Sequence, residues 1–176
     1  RSVENYFIKL LDEDQPSREK IDRHLDSLGF QMKPYTYVVA LCLSDAPGQT
    51  PSGTKNLEQI QQEFAQTLHC PVLIYNALLL CIYGSDTPVH RWPEDVAGMA
   101  ELLRRWNLLA GISRAALGVG LLIELLADGV EVLGQFIGSG LDGGGVGALQ
   151  GLLQLVDAGL DLALILGGDL VAHLVQ

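Results

Sequence analysis

The chain has 176 residues, 48% of them hydrophobic and 18% charged, so it is long enough for one packed domain and too apolar to stay disordered. Its formal net charge of −10 excludes a basic nucleic-acid-binding module, because phosphate neutralisation needs clustered Lys and Arg. Three cysteines, Cys42, Cys70 and Cys81, form no disulfide framework and no metal spacing.

Arg1 is followed by polar and acidic residues without a signal-peptide pattern, and a start without Met predicts a segment of a longer protein. Val3, Tyr6, Phe7, Leu10 and Leu11 recur at helical spacing, and Asp12-Glu13-Asp14-Gln15-Pro16 breaks the pattern. Ser17 is an N-cap for a second helix carrying Ile21, Leu25 and Leu28, closed by Gly29. Tyr35 to Leu43 is aromatic, β-branched and almost wholly apolar, which predicts a central strand buried on both faces. A Pro, Gly, Ser and Thr-rich loop follows, then a helix from about Thr54 to Leu68 with Leu57, Ile60, Phe64 and Leu68 on its apolar stripe.

Two short apolar runs, Pro71 to Tyr75 and Leu78 to Tyr83, are separated only by Asn76-Ala77, which predicts a β-hairpin. After a loop from Gly84 to Pro93, a helix is expected from Pro93 or Asp95 to Trp106, then a strand from Leu108 to Ser113. The order β-α-β-β-α-β matches a split βαβ unit with right-handed crossovers. The fold class expected is α/β (α+β), an antiparallel sheet with a βαββαβ core. An N-terminal helical segment (1–34), the core (35–114) and a helical C-terminal annex (115–176) make up the expected organisation.

The annex differs in composition. Arg114 is the sole Lys or Arg after Arg105, and Phe136 the sole Phe, Tyr or Trp after Trp106. Apolar spacing suggests helices over Leu121 to Leu133, Leu149 to Val156 and Asp161 to Val175, with breaks at Gly138 to Gly147 and Gly167-Gly168. No apolar run reaches 18 residues free of charge, so no membrane span is expected and the cytoplasm is the expected compartment.

No catalytic constellation emerges from the residues. Gly143-Gly144-Gly145 lacks the Gly-Lys-Ser/Thr of a phosphate loop, and no Gly-x-Ser-x-Gly elbow is present. Asp12-Glu13-Asp14 reads as a solvated loop rather than a cation site, and Asp157 with Asp161 as surface carboxylates. No cofactor, no metal and no catalytic residue are expected. Ser113 and Arg114, just after the last core strand, are the polar pair placed for contact with an anionic effector or for a structural anchor, and the structural role is preferred.

Helical Phe7-Ile8-Lys9-Leu10-Leu11 and Leu25-Asp26-Ser27-Leu28-Gly29-Phe30 precede the strand Val38-Val39-Ala40-Leu41. The Leu73-Ile74-Tyr75 hairpin and Leu109-Ala110-Gly111-Ile112-Ser113-Arg114-Ala115 follow. Over Tyr6 to Ala115 this order resembles the GGDEF-like domain of the PucR/CdaR family of bacterial transcriptional regulators, a degenerate nucleotide-cyclase-type domain. Active cyclases of that type carry glycines and an acidic metal ligand in the hairpin turn, where this chain has Tyr75-Asn76-Ala77-Leu78. Gly167-Gly168-Asp169-Leu170 looks like a fragment of that signature, far too late in the chain. The resemblance implies a non-catalytic regulatory domain, a homodimer through apolar helices, and DNA bound by a helix-turn-helix outside these residues. Two rival expectations are a small-molecule effector sensor centred on Arg114 and a nucleotide cyclase-related enzyme, for which Asp45 stands at the end of the first strand.

Overall fold

In the computed structural model, residues 2–14, 16–43, 54–139, 162–166 and 168–173 are described. Among them are five helices, α1 (Ser2–Asp12), α2 (Arg18–Ser27), α3 (Thr54–Leu68), α4 (Met99–Arg105) and α5 (Val119–Ser139). Six strands, β1 (Tyr35–Leu43), β2 (Val72–Tyr75), β3 (Leu78–Ser85), β4 (Leu108–Ser113), β5 (Leu162–Leu166) and β6 (Asp169–His173), form one sheet in the order β2-β3-β1-β4-β5-β6. Every pairing is antiparallel. The fold is thus α+β, with an antiparallel sheet built around a βαββαβ unit.

Side chains alternate across the strands, so each face of the sheet has its own core. Val38, Ala40 and Cys42 of β1 join Leu80, Leu109 and Leu164 under α1, α2 and α5. Tyr37, Val39 and Leu41 join Leu79, Cys81, Ala110 and Ile165 under α3 and α4. β1 carries an unbroken apolar run because it lies in the interior of the sheet, with helices on both sides. The three sequence segments share these cores. Phe7, Leu10, Ile21 and Leu25 from the first segment pack with α5 from the last against the middle one.

Local chemistry explains most boundaries. Ser17 caps α2 by accepting the Lys20 N–H at 3.4 Å. Glu63 of α3 accepts hydrogen bonds from Arg105 Nη1 (2.7 Å) and the Trp106 indole N–H, which fixes the end of α4 to α3. α4 starts at Met99, later than expected, because residues 91–98 form turns in which the Asp95 carboxylate accepts the Arg91 backbone N–H at 2.8 Å. α5 includes the expected Leu121 to Leu133 helix and continues to Ser139. It sits close on β1 at Gly129, where a Cβ would lie 3.2 Å from that of Ala40.

The expected third annex helix, Asp161 to Val175, is corrected: Leu162–Leu166 and Asp169–His173 form the antiparallel pair β5 and β6. β5 pairs with β4 along Leu109↔Leu166 to Ser113↔Leu162, closing an edge that would otherwise expose the ladder groups of a fully buried strand. A five-residue apolar run does not reveal its period, so helix and buried strand look alike in sequence. Gly168 turns the hairpin at φ +92°, where a Cβ would also press on Arg104 and the Ala100 carbonyl of α4. The expected helix at Leu149 to Val156 lies outside the described residues.

Candidate functional site

The β2–β3 hairpin ends in the two-residue tip Asn76-Ala77. Asn76 and Ala77 both have positive φ, +50° and +63°, as a two-residue type I′ turn demands. Tyr75 and Leu78 flank the turn as a paired position. The Tyr75 hydroxyl donates to Asp12 Oδ1 at 2.6 Å, and this hydrogen bond, with lesser help from desolvation and the carboxylate charge, pushes the phenol pKa upward. The first carboxylate of the Asp12-Glu13-Asp14 loop is therefore committed to the hairpin.

At the opposite end of β1, Ser113 and Arg114 form a corner. Ser113 is buried, with its hydroxyl accepting the Val38 N–H and donating to the Arg114 carbonyl, each at 2.8 Å. The Ala116 N–H then reaches the Thr36 carbonyl at 2.7 Å. Tyr37 and Val38 of β1 thus face Ser113, Arg114 and Ala115, which is a β-bulge with one extra residue on the β4 side. The Ser113 hydroxyl serves as a substitute ladder acceptor, and the charge-assisted anchor expected of Arg114 is not formed among the described residues. Arg114 is turned out by the bulge, and its side chain makes no hydrogen bond or ion pair among the described residues.

Arg114 lines a cavity of about 260 Å³ with Tyr37, His90, Trp92 and Ile112. Trp92 stands edge-on to Tyr37 and Tyr83, with ring centroids 5.2 and 6.0 Å apart. The Tyr37 hydroxyl accepts the Val89 N–H at 3.0 Å and holds the 86–92 loop over the sheet. A cation, an imidazole and two aromatic rings suit a planar anion, with the guanidinium taking its charge. The sequence pointed to Ser113 and Arg114, and the structure places Tyr37, His90 and Trp92 beside them along the same cavity. The dense aromatic and basic stretch His90-Arg91-Trp92 was the available signal, and it reads as an ordinary loop until β1 is placed beside it.

A wider cleft of about 680 Å³ lies between α2 and the start of α5, lined by Arg18, Asp22, Lys33 and Glu124. Its charges are of mixed sign. Arg18 fills part of it, lying where a Cβ on Gly120 would come within 2.6 Å of the guanidinium.

The thiols follow burial. Cys42 is buried, and desolvation pushes its pKa to about 12. Cys81 is raised by a hydrogen bond with the Cys70 thiol and by burial. Among the described residues no three metal-binding side chains come together. Asp45, Gly143-Gly144-Gly145, Asp157 and Asp161 lie outside the described residues. No helix among the described residues is long and apolar enough to cross a membrane. No protein-family model, curated protein or solved structure matches this chain.

Proposed function

We propose that this chain is a non-catalytic regulatory domain of a cytoplasmic bacterial transcriptional regulator of the PucR/CdaR kind. It acts as a homodimer, and DNA is read by a helix-turn-helix outside these residues. The observation that supports this reading is the hairpin tip, where a cyclase-type sheet would approach nucleotide phosphate. Here the tip holds Asn76 and Ala77, and its flanking Tyr75 is tied to α1 through Asp12. An N-terminal helix bonded to the hairpin of a rigid sheet is a route by which a preceding sensory region bears on the domain. The apolar stripe of α5 is spent on the sheet, leaving Leu117 as the exposed large hydrophobic side chain among the described residues. Self-contact is therefore assigned to the surface around Leu117.

The test has three readouts on the isolated chain. Sedimentation should show a dimer that Leu117→Asp weakens. Duplex DNA should not be retarded at moderate salt, since the net charge is −10. GTP with Mg²⁺ should yield no product. A monomer at all concentrations, tight salt-sensitive DNA binding, or nucleotide turnover would each overturn the proposal, the last in favour of the cyclase-related enzyme.

A second reading is favoured by the cavity beside Arg114: an effector-sensing domain for a small planar anion. Its test is a thermal-shift screen with aromatic carboxylates, because a ligand that binds only the folded chain raises its melting temperature. Arg114→Ala and Trp92→Ala should each abolish the shift. A shift that survives both variants excludes this cavity.

A further inference from the structure

β2 is an outer strand of the sheet, and its free edge is recessed between α1 and α3. The register defines which backbone groups face outward. A two-residue hairpin closes on a hydrogen-bonded pair at Tyr75↔Leu78, and bonded pairs then alternate along β2 and β3. The Ile82 N–H to Pro71 carbonyl bond, 3.0 Å, keeps this alternation. The backbone groups of Val72 and Ile74 therefore point away from β3. The Val72 carbonyl accepts the Gln61 side-chain amide at 2.7 Å. The Val72 N–H and both backbone groups of Ile74 have no partner among the described residues.

Space lies against these groups. A cleft of about 330 Å³ reaches Val72, and another of about 250 Å³ reaches Ile74, with Gln61 lining both. Glu4 of α1 lines both clefts, and Glu58 of α3 lines the one at Ile74. An edge with unpaired ladder groups selects an extended backbone. The Glu58 carboxylate, on a chain of net charge −10, selects a basic side chain on that backbone. A second copy of β2 fits poorly, since it would bring the same Glu58 carboxylate against this one.

We propose that the β2 edge between α1 and α3 docks an extended segment of a partner protein carrying Lys or Arg, which adds to the sheet beside Ile74. Gln61 acts as a placeholder on the Val72 carbonyl and gives way when the segment's N–H arrives.

A displayed library of random octapeptides is selected on the full chain, and the enriched peptides are titrated into ¹⁵N-labelled protein. The expected peptides hold a basic residue and move the Val72, Ile74 and Gln61 side-chain amide resonances. Ile74→Pro removes an outward N–H at a place where an edge strand tolerates proline, with Ile74→Ala as the control for the side chain that packs on the α3–α4 core. It should weaken binding about tenfold, the worth of one lost hydrogen bond. Glu58→Lys should weaken binding about threefold, and more at low salt, as an exposed charge pair does. Gln61→Ala should tighten it, because the carbonyl no longer needs to be vacated. No enrichment, enrichment of acidic peptides, or resonance changes elsewhere would overturn the proposal. So would β2 edge amides already protected from exchange in the free chain, or self-association abolished by Ile74→Pro.

Discussion

The Ser113 hydroxyl stands 2.8 Å from the backbone nitrogen of Val38, where a plain ladder would place a β4 carbonyl. This contact lets the chain after Ile112 take up the extra residue of the bulge while the Val38 N–H keeps an acceptor. It also turns Arg114 outward beside Trp92 and Tyr37.

Ser113→Ala therefore orphans a buried N–H. The expected loss is about 1–3 kcal/mol, the cost of an unsatisfied buried donor. Chemical denaturation should show a lower midpoint with an unchanged slope. A loss below a few tenths of a kcal/mol would mean that water or a backbone shift replaces the hydroxyl.

Ala77 holds a φ of +63° with a Cβ, a conformation that glycine adopts without steric cost. Ala77→Gly is expected to stabilise the chain by roughly 0.5–1 kcal/mol, with the turn and register kept. A destabilised variant would show that the entropy of the unfolded glycine outweighs the relieved strain.

Gly129 is the close approach of α5 to β1, where an added Cβ would crowd the Ala40 Cβ at 3.2 Å. Gly129→Leu should push the helix off the sheet and cost about 1–3 kcal/mol, as overpacking does. Gly134 has open space in the same sense, so Gly134→Ala should stabilise through helix propensity by up to about 1 kcal/mol. The contrast between the two glycines, measured by thermal melting, separates contact from propensity.

Asp128 holds its proton more firmly than an ordinary carboxyl, first through desolvation and then through Glu131 and Glu124, with Arg114 opposing them. A carboxyl with a raised folded pKa binds more protons folded than unfolded. Its penalty is absent below the unfolded pKa, near ~4, and grows as pH rises through the folded value. Asp128→Asn should thus match the parent at pH 3 and exceed it at pH 7. Because the group is largely solvent-screened, the gain in melting temperature should be only about 1–2 °C. A lower melting temperature at pH 7 would mean that attraction to Arg114 outweighs the other causes.

Much of the architecture was legible in local pattern. The unbroken apolar run of β1 implied cover on both faces, and α1, α2 and α5 lie opposite α3 and α4. The two-residue gap at Asn76-Ala77 implied the hairpin, even with an unfavourable alanine, because its strand flanks have little else to pair with locally. Ser113 and Arg114 were visible as a polar pair at a strand end, though not the bulge that divides their roles.

The amino-acid sequence by itself determined the period and the punctuation: which segments are amphipathic helices, which are buried strands, and where the chain must turn. Those are encoded within a few residues, by side-chain spacing and backbone preference. Only the tertiary structure decided that Leu162–Leu166 and Asp169–His173 are strands, since the open edge of β4, not their own composition, selects that state. The same holds for the cavity at Arg114 and the groove along β2. Each is assembled from side chains of separate elements, and no local pattern records who their neighbours are.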